Sequence, residues 1–210
     1  MHKRAKIVLD QLNTFCPNPK PSLQYETPYQ LLVAVLLSAQ CKDERVNQVT
    51  PHLFQEAATP QAMVQLPVEK IENIIYPCGF FKVKARYIHT LSKQLCTQYN
   101  GQVPSTLETL ESLCGVGHKT ASVVMSHAFG AKTFPVDTHI HRLSLKWQLS
   151  KGPSVEKVEA DLKRIFPDSI WHKLHLQMID YGRNYCNRFA CTSKKLCPIC
   201  KALLELGEDK

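Results

Sequence analysis

Apolar residues recur along most of the chain at three- and four-residue intervals, and this periodicity predicts helices nearly throughout. Tyr29–Gln40, YQLLVAVLLSAQ, is apolar on almost every side and reads as a buried central helix. Asp43–Phe54 is amphipathic. Two shorter helices are predicted over Thr59–Leu66 and Pro67–Cys78, each with a proline near its start. Phe81–Tyr99 is a long amphipathic segment that Asn100–Gly101 stops. Ser105–Leu113 opens on a capping residue. His118–Phe129 places Ala121, Val124, Met125 and Ala128 at helical spacing, with Gly130 as its terminator. Further helices are predicted over Asp137–Leu149, over Ser154–Phe166 behind a capping serine, and over Ile170–Cys186. Met1–Phe15 is basic and then apolar, but Asp10, Gln11 and Asn13 interrupt it. It reads as an amphipathic helix and not as a signal peptide. Strand signals are few and short, and there is no internal repeat. The fold class expected is all-α, in two helical subdomains with a seam near Lys132–Pro135.

At 210 residues and 44% hydrophobic content, the chain can bury a substantial core. No apolar run is long enough to cross a membrane, so a cytoplasmic location and no membrane partner are expected. The formal charge of +8 suits a polyanion, nucleic acid first, although solubility alone would also account for it. Nine cysteines, an odd number with no export signal, argue against a disulfide framework. Five are scattered (Cys16, Cys41, Cys78, Cys96 and Cys114) and read as buried or inert thiols.

The other four crowd into CNRFACTSKKLCPIC as Cys186, Cys191, Cys197 and Cys200, spaced C-x4-C-x5-C-x2-C. Four thiolates so close in sequence will hold a soft metal or an iron–sulfur cluster, and zinc with four cysteines is the competitor. Arg188, Lys194 and Lys195 lie between them and would present cations to phosphates.

Two of only eight glycines fall in LCGVGHKTA, Leu113–Ala121. The spacing fits neither a Walker A loop nor the dinucleotide fingerprint. Gly115, Val116 and Gly117 form a tight turn between two helices. Its outward amides, with those of His118, Lys119 and Thr120 at the positive end of the next helix, can bind a phosphate without reading sequence. A plain glycine-capped helix connection would look alike. Lys119 alters the balance, because a cation in the first turn opposes the helix dipole. That field favours the neutral amine, which is the nucleophilic form. Asp137 in FPVDTHIHRL is a good N-cap. It could equally face Lys119 across a cleft, help deprotonate the amine and stabilise positive charge on a sugar ring. His139 and His141, two residues apart, have poor geometry for a shared metal.

Together LLVAVLLSAQCKD, CGFFKVKARYI, NGQVPSTLETLESLCGVGHKTASVV, FPVDTHIHRL and YGRNYC resemble the endonuclease III family, bacterial DNA glycosylases and abasic-site lyases of the helix-hairpin-helix superfamily. The resemblance spans nearly the whole chain. It implies two helical domains with a central cleft: residues 21–132 carrying the helix-hairpin-helix, and residues 1–20 plus 133–210 carrying an iron–sulfur cluster loop. It implies Lys119 as nucleophile and Asp137 as its carboxylate partner, acting without magnesium on oxidised pyrimidines flipped out of double-stranded DNA. It implies a 4Fe–4S cluster on the four cysteines, and a monomer. Gln40 and Phe80 match positions that fill the gap left in the duplex. By themselves they read as a helix end and a core aromatic. A non-catalytic DNA-binding protein, or a zinc-stabilised helical protein with an acidic protein partner, would share the charge and some of these motifs. Two departures stand out. Cys114 replaces the proline before GVG, and the cysteine spacing differs from the family's C-x6-C-x2-C-x5-C.

Overall fold

The structure is a computed structural model of the chain, and residues 1–187, 191–192 and 195–207 are described. In chain order the helices are α1 (Lys3–Phe15), α2 (Pro28–Ser38), α3 (Asp43–Glu56), α4 (Pro60–Gln65), α5 (Val68–Ile75), α6 (Phe81–Gln98), α7 (Leu107–Glu111), α8 (His118–Phe129), α9 (Thr138–Lys146), α10 (Val155–Ile165), α11 (Trp171–Asn184) and α12 (Pro198–Glu205). Among the described residues the one β feature is an isolated bridge between Thr192 and Lys195. No helix among them is long and apolar enough to cross a membrane.

The chain divides into two compact units, Pro21–Ala131 and Met1–Lys20 with Lys132–Lys210. In the first, α2 is the core element. Seven consecutive residues, Leu31 to Leu37, are buried, and each fully buried leucine contributes about 1.5–3 kcal/mol. Ile71, Ile75, Ile88, Leu91, Leu95 and Val124 pack in the same core. Helix starts follow local chemistry. Thr27, Thr59 and Thr106 each accept a backbone N–H three residues on, and Pro28 and Pro60 sit where no N–H is needed. Gly130, at φ 62°, ends α8.

One buried cation stands out in this unit. Lys84 is buried on α6 and donates from Nζ to the carbonyls of Leu37 (2.8 Å) and Ala39 (2.7 Å). These are orphan carbonyls at the negative end of α2, so a cation is well placed there. Burial nonetheless lowers the Lys84 pKa.

The second unit has its own core, built on Trp147, Tyr181, Phe134, Phe166 and Leu12. The sequence ends of this unit are joined through Gln177 on α11. Its Nε2 donates to Leu12 O (3.2 Å), Asn13 Oδ1 (3.1 Å) and Cys16 O (2.9 Å), closing the open end of α1. Burial pays no polar penalty there because the amide and the carbonyls satisfy one another.

Candidate functional site

The GVG turn is held from three sides. Val116 is buried and its amide donates to Leu113 O (3.1 Å), so this residue pins the turn inward. The Cys114 amide donates to Gln94 Oε1 (2.8 Å), which ties the turn to α6. Gly115 has φ 77°, where a side chain is strained, and a Cβ there would stand 2.5 Å from the Tyr87 ring. Gly117 is different. Its φ is −97° and a Cβ would meet nothing within 4 Å. Nothing inside the protein demands a glycine at 117, and the space beside it is open.

Gly117 is also the N-cap of α8 and supplies no side-chain acceptor. The first amides of any helix lack an intrahelical partner, so the start of α8 is a donor array at the positive end of a dipole. Lys119 is exposed in that first turn and Thr120 is half-buried. The His118 ring lies 2.6 Å from Glu111 Oε1, which places a carboxylate beside the same array.

In the same unit, the loops after α2 and before α6 lie together. A Cβ at Gly79 would be 3.6 Å from the Gln40 carbonyl oxygen. Gln40 (φ 52°) and Phe80 (φ 58°) both occupy the left-handed region, which costs non-glycine residues on the order of 1 kcal/mol. Gln40 is exposed and Phe80 is 64% exposed, so Phe80 is not a core aromatic.

In the other unit Asp137 caps α9, with Oδ1 accepting the Ile140 amide at 2.8 Å. His139 faces α11, where a Cβ on Gly182 would lie 3.2 Å from its Nδ1, and His141 Nε2 lies 3.2 Å from Pro153 O. The two rings therefore face different neighbours.

The sulfurs of Cys186, Cys191, Cys197 and Cys200 all lie within 4.8 Å of one another. This convergence of four thiols fits a soft metal centre. Hydrogen bonds from Cys186 and Cys200 hold the Cys197 thiol well below its usual range, and as donor to Cys197 the Cys186 thiol is pushed up to about 12. Supporting groups surround them. Lys146 Nζ donates to Cys191 O (2.9 Å) and Cys191 Sγ (3.1 Å), and the Cys197 amide donates to Cys191 Sγ (3.3 Å). The Ile199 amide donates to the buried Tyr181 hydroxyl (3.0 Å). Lys195 is exposed, while Arg188 and Lys194 lie outside the described residues.

Sequence reasoning did not single out Lys146, Tyr181, Tyr87 or Lys84. Lys84, Tyr87 and Tyr181 lie within stretches that carry the family resemblance, but each acts through a partner distant in sequence, which no motif displays.

A helical fold with a glycine hairpin ahead of a lysine-bearing helix, and four converging cysteines, defines a class that comparison makes explicit. The HhH-GPD superfamily of base excision DNA repair proteins matches residues 33–168. Endonuclease III of Synechocystis is 40% identical over 200 residues, covering 95% of this chain and 90% of that protein. Endonuclease III of Escherichia coli K12 is 40% identical over 187 residues, 89% of each. A solved structure of a trapped endonuclease III–DNA covalent intermediate superposes with a TM-score of 0.87 at 37% identity, covering 97% of this chain and all of that one. A thermostable thymine-DNA glycosylase shares the fold, with a TM-score of 0.79 at 20% identity. The chain belongs to the endonuclease III family, and its activity class is that of a DNA glycosylase and lyase in base excision repair.

Proposed function

We propose that this protein removes oxidised pyrimidines from double-stranded DNA and cuts the resulting abasic site on its 3′ side, with Lys119 as nucleophile. The observation that carries the reading is the exposed Lys119 in the first turn of α8, directly behind the hairpin turn. There the amine stands beside backbone donors suited to a phosphate, close to where a sugar would be held.

The neutral amine of Lys119 attacks C1′ of the flipped nucleoside. The bond from C1′ to the base breaks and the base leaves with the electron pair and a proton. The sugar opens to an iminium on the Lys119 nitrogen. Loss of a C2′ proton then expels the 3′ phosphate, and the iminium takes up the electrons. Asp137 receives protons and stabilises positive charge on the sugar, its position fixed by the cap it forms on α9. Gly115, Gly117 and the first-turn amides of His118 and Thr120 hold the backbone, with Val116 setting the turn. Gln40 and Phe80 enter the space the nucleotide vacates. No magnesium is required, since the iminium supplies the electron sink.

Cys186, Cys191, Cys197 and Cys200 hold a 4Fe–4S cluster in this reading, and when bound it supplies a rigid core for the C-terminal loop. A zinc ion is the second occupant to consider, because sulfurs within 4.8 Å suit a tetrahedral ion. Broad absorbance at the blue–violet edge supports the cluster, and a colourless protein loaded with zinc supports the ion. The protein acts as a monomer in the cytoplasm.

The test is borohydride trapping on a duplex carrying one oxidised pyrimidine, wild type beside Lys119→Gln. A covalent species with wild type alone supports the reading. Binding by both proteins without trapping or cutting by either overturns it.

A further inference from the structure

Two of the five cysteines outside the C-terminal loop meet. Cys41 follows Gln40 and is held by its amide bond to Ser38 O (3.1 Å); Cys78 precedes Gly79–Phe80 and is held by its amide bond to Ile75 O (2.8 Å). The backbones pass close, with a Gly79 Cβ only 3.6 Å from Gln40 O, and the two cysteine side chains interact electrostatically. Their surroundings are cationic. The Lys84 ammonium, anchored on Leu37 O and Ala39 O, interacts with both sulfurs, and the Arg45 guanidinium with Cys78. On Cys78 these cations act against the burial that raises its thiol.

The pair is asymmetric. Cys78 is fully buried, and burial pushes its thiol up to about 12. Cys41 is half-buried and within reach of a small oxidant.

We propose that Cys41 and Cys78 are a hydroperoxide-sensitive modification site that closes to a disulfide and staples together the loops carrying Gln40 and Phe80. The Cys41 thiolate attacks one peroxide oxygen. The O–O bond breaks, hydroxide leaves and takes up the thiol's proton, and Cys41 becomes a sulfenic acid. The Cys78 sulfur then attacks the Cys41 sulfur, the S–O bond breaks and a second water leaves. Two thiols and one hydrogen peroxide give one disulfide and two waters, with two electrons passing from sulfur to oxygen. A disulfide is about 2.05 Å long, shorter than any thiol hydrogen bond, so closure draws the loops together. Gln40 and Phe80 sit at the mouths of these loops on strained backbone, one residue from Cys41 and two from Cys78. The consequence for DNA rests on the proposed placement of those two residues in the duplex; the disulfide itself does not.

The experiment treats the intact protein with hydrogen peroxide, then alkylates it and maps its peptides by mass. In parallel it measures binding to a duplex bearing a non-cleavable abasic-site analogue, before oxidation, after it, and after dithiothreitol. Cys41→Ser and Cys41→Ala serve as controls, since Cys41 lies outside the fully buried core. The expected result is a linked Cys41–Cys78 peptide in wild type and in neither variant. Binding then weakens by roughly 10- to 100-fold, as displaced positioning groups would cause, and dithiothreitol restores it. A Cys41 sulfinic acid with no linked peptide overturns the disulfide. A linked peptide with unchanged binding overturns the coupling to DNA. Failure of the reduced wild type to bind the duplex defeats the DNA reading, and the peptide map still decides the disulfide.

Discussion

The turn at Leu113–Gly117 and the cysteine loop, Cys186 to Cys200, are the two candidate ligand sites, and they differ in kind. The turn presents backbone. Its side chains face inward, as Val116 does, or are missing, as at Gly117, and what it offers are amides. The loop presents side chains. Its four sulfurs converge within 4.8 Å and the backbone serves to aim them. A backbone site depends on φ and on empty space, so it is sensitive to any added atom. A side-chain site depends on ligand identity and on the groups that orient the ligands, so it can accept a changed spacing.

The largest effect separates capping from chemistry at Asp137. Asn is as good an N-cap as Asp, so Asp137→Asn keeps α9 capped. Thermal unfolding should shift little while the single-turnover cutting rate falls by roughly 10²–10⁴. Asp137→Ala should lose the same activity and also about 1 kcal/mol of stability. Unchanged cutting by Asp137→Asn, with any loss confined to Asp137→Ala, would show that Asp137 is structural only.

Next comes support for the thiols. Lys146→Met removes the ammonium from Cys191 Sγ while keeping the stem that packs beneath it. Burial works against this ammonium, but its bond to Cys191 and the nearby Cys186 and Cys200 sulfurs outweigh it and raise its pKa. Groups that orient metal ligands are commonly worth about 10–100-fold in metal affinity. Metal release to a chelator, followed by absorbance or metal analysis, should quicken by about tenfold or more, and Lys146→Arg should recover part of the loss. An unchanged release rate would mean that the loop orients its sulfurs unaided.

The two glycines of the turn give the sharpest contrast at smaller energy. Gly115→Ala meets both a positive φ and the Tyr87 ring, and should cost about 1–3 kcal/mol of folding stability. Gly117→Ala has open space and an ordinary φ, so stability should stay within about 0.5 kcal/mol. Duplex affinity should nonetheless fall for Gly117→Ala, since the methyl group would occupy the approach to the amides. Unchanged affinity would mean that no phosphate comes close to residue 117.

What the sequence disclosed follows the same division. Backbone demands leave a mark on composition. Glycine, serine and proline announced the stop at Gly130, the cap at Ser154, the start of α4 and the turn itself, while the cap expected at Ser105 falls one residue later, on Thr106. Asp137 was legible as a cap for this reason. The four C-terminal cysteines were legible as ligands by type and crowding. Tertiary partners leave no such mark. Lys146 and Lys84 look like ordinary lysines of amphipathic helices, and only the folded chain brings one to Cys191 and the other to the end of α2. Cys41 and Cys78, thirty-seven positions apart, read as inert thiols because only the backbone crossing at Gln40 and Gly79 makes them a pair.

The smallest effect tests whether the turn's field is tuned as well as its shape. Glu111 sits 2.6 Å from His118 at the start of α8, with both side chains substantially exposed. A carboxylate near a helix N-terminus stabilises the helix by about 0.3–1 kcal/mol. The same charge repels an incoming phosphate. Glu111→Gln should therefore lower stability by less than about 1 kcal/mol. Duplex affinity at low salt should rise by about two- to fivefold, with the gain fading as salt screens the charge. Stability and affinity would then move in opposite directions, as expected where an internal anion occupies the place of an external one. If affinity fell together with stability, Glu111 would be holding His118 in place for the ligand, and the donor array at α8 would include a side chain as well as backbone.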